Sequence, residues 1–504
     1  MKIRFKSVIL VVVLIGVVIL SACDISDTTD TLTEHINEQI DAAEGIDDSD
    51  VIVDDVDPRQ AILDMWSYPD VDFDGHEFSV LIRGVEGRHD YFGSWDSRDI
   101  FSEGETGEVL NDAVFRRNVE VEEALGITIV PIMRPTGDQP ALVQRAVAAG
   151  DNSFCAVMMS FEHLTNSAQQ GMFMNLDDLL GIDLSFPWWD QSLLRDTSVM
   201  NRNFFATGDI TVMTHDGTWT MMFNKQVHHD HGLPNIYDIV RAGEWTVEKM
   251  LELGRDVSAD LDGSGVMTPN DRWALTTTWD TVPGLFFSMG NRITRKDEHD
   301  LPTFALYGDH LLSSLDKIFE VMSESNNFTL TAGHLTVQAV FEEDRALFLG
   351  EVMQLVIRLR QMETDFGVIP LPKFDQYQER YLTTIHQMAS VGVAIPVGIE
   401  DAERSATILE ALAYGGFKFI RPAYYYTALV GQMIRDYESE EMLDIIFAGR
   451  VADLGRMNHL GGVIGAINSN MQNNNPAFAS TIERLERILQ RDIERVIQRI
   501  MDLD

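Results

Sequence analysis

Hydrophobic positions along the chain change period repeatedly, and each change marks an element. Residues 77–83 (EFSVLIR) read as a first strand. Within 111–125, Val114, Val119, Val121 and Leu125 recur near a 3.6-residue period, which predicts a helix, and Gly126 stands where it would stop. Residues 127–132 read as a second strand and 141–149 as a helix closed by Gly150. Residues 154–159 (FCAVMM) are almost continuously apolar, as a strand buried on both faces should be. Strand, helix, strand, helix, strand at these lengths predicts an α/β fold with a largely parallel sheet.

Beyond residue 200 the pattern is mixed. Residues 204–214 and 218–224 read as two strands joined by a turn at His215, Asp216 and Gly217. A helix is expected over 245–253 with Thr246 as its N-cap, then a strand over 273–278. Helices follow over 311–322 and 336–341, strands at 366–369 and 391–395, and a helix over 402–414. Residues 468–475 read as an Asn-rich loop. Residues 480–501 are strongly amphipathic, with Ile482, Leu485, Leu489, Ile493, Val496 and Ile500 on one face and a capping-box pattern at Ser480 and Glu483. A chain of 504 residues with several α/β stretches and no internal repeat predicts two lobes.

The amino-terminal pattern is of another kind. Lys2, Arg4 and Lys6 precede an apolar run over 8–20, then the small residues Ser21 and Ala22, then Cys23. A basic start, a short apolar core and small residues before a cut define an export signal, here 1–22. The apolar run is shorter than the roughly 20 residues a spanning helix needs. The sequence Leu20-Ser21-Ala22-Cys23 resembles the lipobox of bacterial lipoproteins, which implies lipidation of Cys23 and an extracytoplasmic protein held at the cell membrane. Residues 23–74 are acidic and poor in aromatics and read as a flexible tether, with a short helix within 30–45 or 58–66. The other cysteine, Cys155, is then left without an intrachain partner, which excludes a disulfide framework. The chain has 80 Asp plus Glu against 38 Lys plus Arg, and loss of the leader moves its net charge from −42 to −45. Such a field disfavours nucleic acid and anionic lipid as partners.

The sharpest local motif is the twelve-residue stretch 260–271 (DLDGSGVMTPND). Its spacing matches an EF-hand-type calcium loop: oxygen donors at Asp260, Asp262 and Ser264, Gly265 at the sharp turn, the Val266 carbonyl, Thr268 through water, and Asp271 at the closing position. Two features depart from that pattern. Position twelve is Asp instead of Glu, and a strand instead of a helix is expected next. A bound Ca²⁺ would be structural. His228, His229 and His231 adjoin Asp230, but neighbours in sequence do not all point at one ion, so this run reads as a solvated turn. Nucleotide fingerprints and a Gly-x-Ser-x-Gly elbow are absent from the sequence, and carboxylate pairs carry little information in so acidic a chain. Ligands of α/β sheets sit beyond the carboxyl ends of strands. That singles out Arg88 and Asp90 after the first strand, Glu162 and His163 after the third, Trp279 and Asp280 after the 273–278 strand, and Glu351. Trp95, Trp188, Trp189, Trp219, Trp279 and Tyr424 to Tyr426 offer flat faces for the C–H surfaces of sugars.

Five segments, in order, resemble the extracellular solute-binding proteins of ABC importers, in the carbohydrate-type group: 106–118 (TGEVLNDAVFRRN), 186–191 (FPWWDQ) with 204–210 (FFATGDI), 222–225 (MFNK) with 244–246 (EWT), 367–372 (GVIPLP), and 441–446 (EMLDII). The resemblance implies an α/β, two-lobe periplasmic-binding-protein-like (type II) fold with hinge crossovers and an interlobe cleft. Lobe one would hold 75–210 and 360–415, and lobe two 215–355 and 420–504. It implies a monomeric receptor that closes its lobes on a small solute, a mono- or oligosaccharide, and presents it to an ABC transporter permease. By the same analogy Trp219 faces the cleft, with Asp216 in the turn before it. A secreted glycoside hydrolase or lyase is the alternative, and a sensor subunit for a membrane kinase a third reading.

Overall fold

The computed structural model describes residues 58–84, 99–323, 327–359, 362–425 and 437–503. The chain forms two compact units, Met1–Asp64 and Met65–Asp504. The described part of the first is the short helix Pro58–Leu63. No described helix is long and apolar enough to cross a membrane. Cys23 lies outside the described residues, while Cys155 is a free thiol.

In the second unit the strands are β1 (His76–Arg83), β2 (Ile127–Arg134), β3 (Ala156–Ser160), β4 (Trp219–Asn224), β5 (Trp273–Thr277), β6 (Thr294–Lys296), β7 (Pro302–Phe304), β8 (Thr329–Thr331), β9 (Ala346–Val352), β10 (Phe366–Ile369), β11 (Thr383–Thr384), β12 (Val391–Ala394) and β13 (Arg450–Val451). Four of them form one sheet in the order β12-β3-β1-β2, and five form another in the order β10-β4-β9-β5-β8. β1 runs parallel to β2 and β3, and β12 is antiparallel to β3. In the second sheet β5 is parallel to β8 and β9, while β4 is antiparallel to β9 and β10. Helices cover the sheets, so the central strands are buried on both faces: β3, β4, β5 and β9 have no exposed residue, while the edge strand β2 is partly exposed. This is the two-lobe α/β architecture expected of a type II binding-protein fold.

Three segments run between the sheets. The first leads through the short helix Met213–Asp216 into β4, the second from β10 through β11 to β12, and the third from helix Ala402–Gly415 towards helix Tyr437–Ala448. In the third, the helix widens to a π-helical turn at Gly416–Ile420. A Cβ on Gly416 would stand 2.0 Å from the Asp209 carbonyl oxygen, so only glycine lets the two backbones meet there. The amphipathic C-terminal helix, Phe478–Met501, buries the predicted stripe Ile482, Leu485, Leu489, Ile493, Val496 and Ile500. Each fully buried side chain of this size contributes about 1.5–3 kcal/mol.

Several expectations are corrected. Residues 366–369 pair with β4, so this strand belongs with the second sheet and not with 391–415 in the first lobe. The tether does not reach residue 74: Trp66 packs edge-on against Tyr68 and Trp188, and Tyr68 donates to Glu120 at 2.9 Å. Residues 204–214 form no strand; they make two isolated bridges, Ala206 with Val393 and Gly208 with Trp189, before the helical turn at Met213. The Asn-rich stretch is mostly helix, Val463–Gln472. The last helix begins at Phe478, and Ser480 donates to the Ala477 carbonyl instead of capping. His228 and His229 lie on the helix Lys225–Asp230, with His231 at its end; the rings of His228 and His231 reach backbone carbonyls of Pro234 and Val227. Thr246 does cap its helix, accepting from the Lys249 amide at 3.2 Å.

Candidate functional site

Strand direction gathers chemistry at one edge of each sheet. β1 ends at Arg83, and β3 ends at Ser160, where helix Phe161–Ala168 begins and carries Glu162 and His163. In the second sheet β5 leads to Trp279 and Asp280, β8 to His334, and β9 ends with Glu351 and Val352. β4 and β12 run the other way, so Trp219 and the turn 386–390 stand at these same edges. The turn is fixed by His386 donating its amide to the Gly217 carbonyl at 2.7 Å, and by the Phe161 and Glu162 amides donating to Ser390 and Gln387.

His386 lies at the centre of the group. Its ring is 6.2 Å from that of Trp219. Burial pushes it down to about 4; Asp280 opposes that, while Arg456, His334 and Arg83 add to it. Around it are two buttressed pairs. His334 donates from Nδ1 to the buried Glu351 carboxylate at 2.5 Å and turns Nε2 towards Asp280 at 3.8 Å. Burial opposes the imidazolium of His334, but the hydrogen bond and charge of Glu351 outweigh it, and the pKa is raised. Glu162 meets His459 at 3.1 Å, and that contact holds the carboxyl below its usual range. His163 is lowered by burial. Arg83 donates to Thr136 at 2.7 Å and to the Met388 carbonyl.

Six polar atoms in this group are buried without a hydrogen-bond partner: Ser160 Oγ, His163 Nδ1, Trp219 Nε1, Gln387 Oε1, Ser390 Oγ and Arg456 Nε. An unsatisfied buried donor or acceptor costs about 1–3 kcal/mol. Six on one junction between two sheets is a concentration that a hydroxyl-rich guest or solvent would relieve.

The structure thus brings together Glu162, His163, Trp219, Asp280 and Glu351, with the half-buried Trp279 beside Asp280. Arg83, His334, His386, Arg456 and His459 join them without having been singled out in the sequence. Arg83 ends β1 and His334 follows a strand end, so both had a local signal; His386, Arg456 and His459 owe their place to chain crossings and the C-terminal segment. Asp216 is corrected: it is buried in the first crossover, where its carboxylate accepts from the Tyr424 hydroxyl at 2.9 Å. Trp188 and Trp189 are core residues, both 1% exposed, and both indoles donate to Glu410 at 2.6 and 3.1 Å. Arg88, Asp90, Trp95 and Tyr426 lie outside the described residues.

The acidic loop draws three carboxylates together. Single oxygens of Asp260, Asp262 and Asp271 lie within 4.8 Å of one another. Asp260 accepts from the amides of Gly263 and Gly265, each at 2.7 Å, and Gly265 takes a left-handed φ of 78°. Asp271 accepts from the amides of Leu261 and Thr268. Backbone amides, that of Gly265 foremost for Asp260 and that of Leu261 for Asp271, hold both carboxyls below their usual range. Val266 is exposed, and its carbonyl accepts from Ser264 Oγ at 3.1 Å. The donor set is oxygen only, the chemistry hard cations take.

Two α/β lobes joined by three crossovers, with polar and aromatic side chains at their junction, define the solute-binding-protein fold. Solved structures of that class superpose on the chain. An ABC substrate-binding protein from Listeria monocytogenes in complex with cycloalternan matches with a TM-score of 0.53 at 10% identity, over 84% of this chain and 100% of that one. A cyclic α-maltosyl-1,6-maltose binding protein from Arthrobacter globiformis matches at 0.54 and 11%, over 85% and 99%. UgpB from Mycobacterium tuberculosis in complex with glycerophosphocholine matches at 0.51 and 17%, over 75% and 95%. No protein-family model and no curated sequence matches the chain. At these identities the likeness is one of fold.

Proposed function

We propose that this protein is a non-catalytic, extracytoplasmic receptor, lipid-anchored through Cys23, that captures a mono- or oligosaccharide between its lobes and passes it to an ABC transporter permease. The observation that carries the reading is the junction around His386. Aromatic faces, carboxylates, imidazoles and six unsatisfied buried polar atoms come from both sheets and from the crossovers between them. A sugar offers apolar C–H faces to indoles and hydroxyls to the rest. Contacts made to both lobes at once favour the closed form, because only differential contacts shift an equilibrium. Fold neighbours in complex with cycloalternan and with maltotetraose make these two oligosaccharides the first ligands to try.

The loop 260–271 holds a structural Ca²⁺ through Asp260, Asp262, Ser264, the Val266 carbonyl and Asp271, with Thr268 acting through water. The oxygen-only cluster supports this, and its role is to stiffen the loop before β5.

The test is a thermal-shift and scattering screen of the mature chain against mono- and oligosaccharides, peptides and polyols, with and without calcium. A sugar-dependent rise in Tm with a smaller radius of gyration is expected. Absence of both across the panel would end the capture reading, and turnover of a chromogenic glycoside would replace it with the enzyme. Calcium should raise Tm in the wild type and not in Asp260→Asn; an unchanged Tm in both would remove the ion.

A further inference from the structure

A cavity borders the His386 group through Asp453, which accepts from the Arg456 amide at 3.2 Å. It has a volume of about 320 Å³ and is lined by Arg195 and Asp196 of helix Gln191–Thr197, by Arg292, Thr294, Arg295 and Lys296 leading into and along β6, and by Ala452, Asp453 and Leu454 after β13. Four cations thus face two carboxylates, in a chain whose net charge is −42.

The carboxylates are shared between backbone amides and the cations around them. Asp453 accepts from the amides of Ile293 and Thr294 and from Thr294 Oγ1, all within 3.1 Å. Asp196 accepts from the Ala452 amide at 3.0 Å, and burial raises its pKa. The cations are not equally matched. Lys296 is paired with Asp300 at 2.8 Å and also donates to Ser198. Arg195 meets only its neighbour Asp196, at 3.5 Å. Arg292 donates to the Asn291 carbonyl at 2.8 Å, and neither it nor Arg295 has a carboxylate within ion-pairing distance among the described residues. Burial holds the Arg292 guanidinium below its usual range although Asp453 and Asp196 oppose this at longer range, so a further anion in direct contact would stabilise it. At physiological salt the Debye length is about 8 Å, so the distant acidic surface is screened and the local cations set the potential in the cavity.

We propose that this cavity binds a tetrahedral oxyanion, either free phosphate or the phosphate of a small ester, clasped by Arg292 and Arg295 on one wall and Arg195 on the other. The walls belong to different lobes: Arg195 is fixed to the first sheet's side, while Arg292 and Arg295 adjoin Ile293 in the core of the second. The same hairpin touches the first lobe through Lys296 and through Asp300, which accepts from the Asn201 amide at 2.9 Å. An oxyanion there bridges the lobes and favours the closed arrangement without entering the His386 junction.

The experiment is calorimetric titration of the mature wild-type chain with inorganic phosphate and with glycerol phosphate, at constant ionic strength set by chloride. Saturable binding with Kd of about 1 mM or tighter is expected for at least one of them. Arg295→Gln, an exposed position, should weaken it about tenfold, as should Arg195→Gln. Tighter binding of the ester assigns the site to an esterified ligand, and equal binding assigns it to free oxyanion. No saturable binding of either, or binding unchanged in both variants, overturns the proposal. The titration is run without sugar, so its failure leaves the carbohydrate reading untouched, and failure of the sugar screen leaves this one standing.

Discussion

Replacing His334 by alanine separates a buried charge pair from its surroundings. Glu351 is 1% exposed at the end of β9, and its carboxylate accepts from the His334 ring at 2.5 Å and from the Val352 amide at 3.1 Å. Breaking a buried pair costs about 3–5 kcal/mol when the remaining charge is fully enclosed. The His334 side chain is 25% exposed, so its removal admits water to the carboxylate, and about 2–3 kcal/mol is expected. The loss has a pH signature. The folded pKa of His334 lies above its ordinary value of 6.5, so the folded state holds a proton that the unfolded state releases first. The stabilisation is therefore complete below 6.5 and is lost as pH rises through the folded value. Urea unfolding near pH 6 and near pH 8, followed by both indole fluorescence and circular dichroism to test for coincident transitions, measures it. The wild type minus His334→Ala difference should shrink at the higher pH. In Glu351→Gln the effect of His334→Ala should fall by half or more, since the pair no longer exists. A difference under about 0.5 kcal/mol at the lower pH, or one independent of pH, would refute the reasoning.

Three other outcomes follow from the same coordinates. Trp279→Ala, at a half-buried position, should weaken sugar binding about tenfold with little change in Tm, whereas Trp219→Ala should cost about 3–5 kcal/mol of stability as well, read by calorimetry and thermal melting. Burial raises Glu410 from 4.5 to about 7 between the two indoles, so the folded state binds the extra proton and wild-type stability should fall as pH rises from about 4.5 to about 7; Glu410→Gln should flatten that slope in melts across the range. Gly416→Ala places a methyl 2.0 Å from the Asp209 carbonyl, so it should destabilise by about 1–3 kcal/mol or more, and an unchanged Tm would mean that the crossover shifts freely.

Local elements were legible because their signals are local. Helix Val109–Leu125 and the stripe of Phe478–Met501 follow from periodicity, the parallel sheet from alternating strands and helices, and the geometry of loop 260–271 from carboxylate spacing and two glycines. Errors arose where a segment serves a distant partner. Residues 204–214 have strand composition but only two isolated bridges, and residues 366–369 pair with β4 at the edge of the second sheet. Polar fate was equally illegible. Asp216 and Glu162 look alike as loop carboxylates, yet one is consumed by Tyr424 and the other meets His459 at the lobe junction.

The sequence by itself determined that strands would stop shortly before Glu162 and Asp280, because hydrophobic period fixes where strands stop. Only the tertiary structure decided that His386, Arg456 and His459 would stand among them. Those residues lie on crossovers and on the C-terminal segment, whose positions are set by pairing between residues distant in the chain: β11 with β13, and the 386–390 turn against Gly217 and Phe161. A one-dimensional pattern carries no record of such contacts.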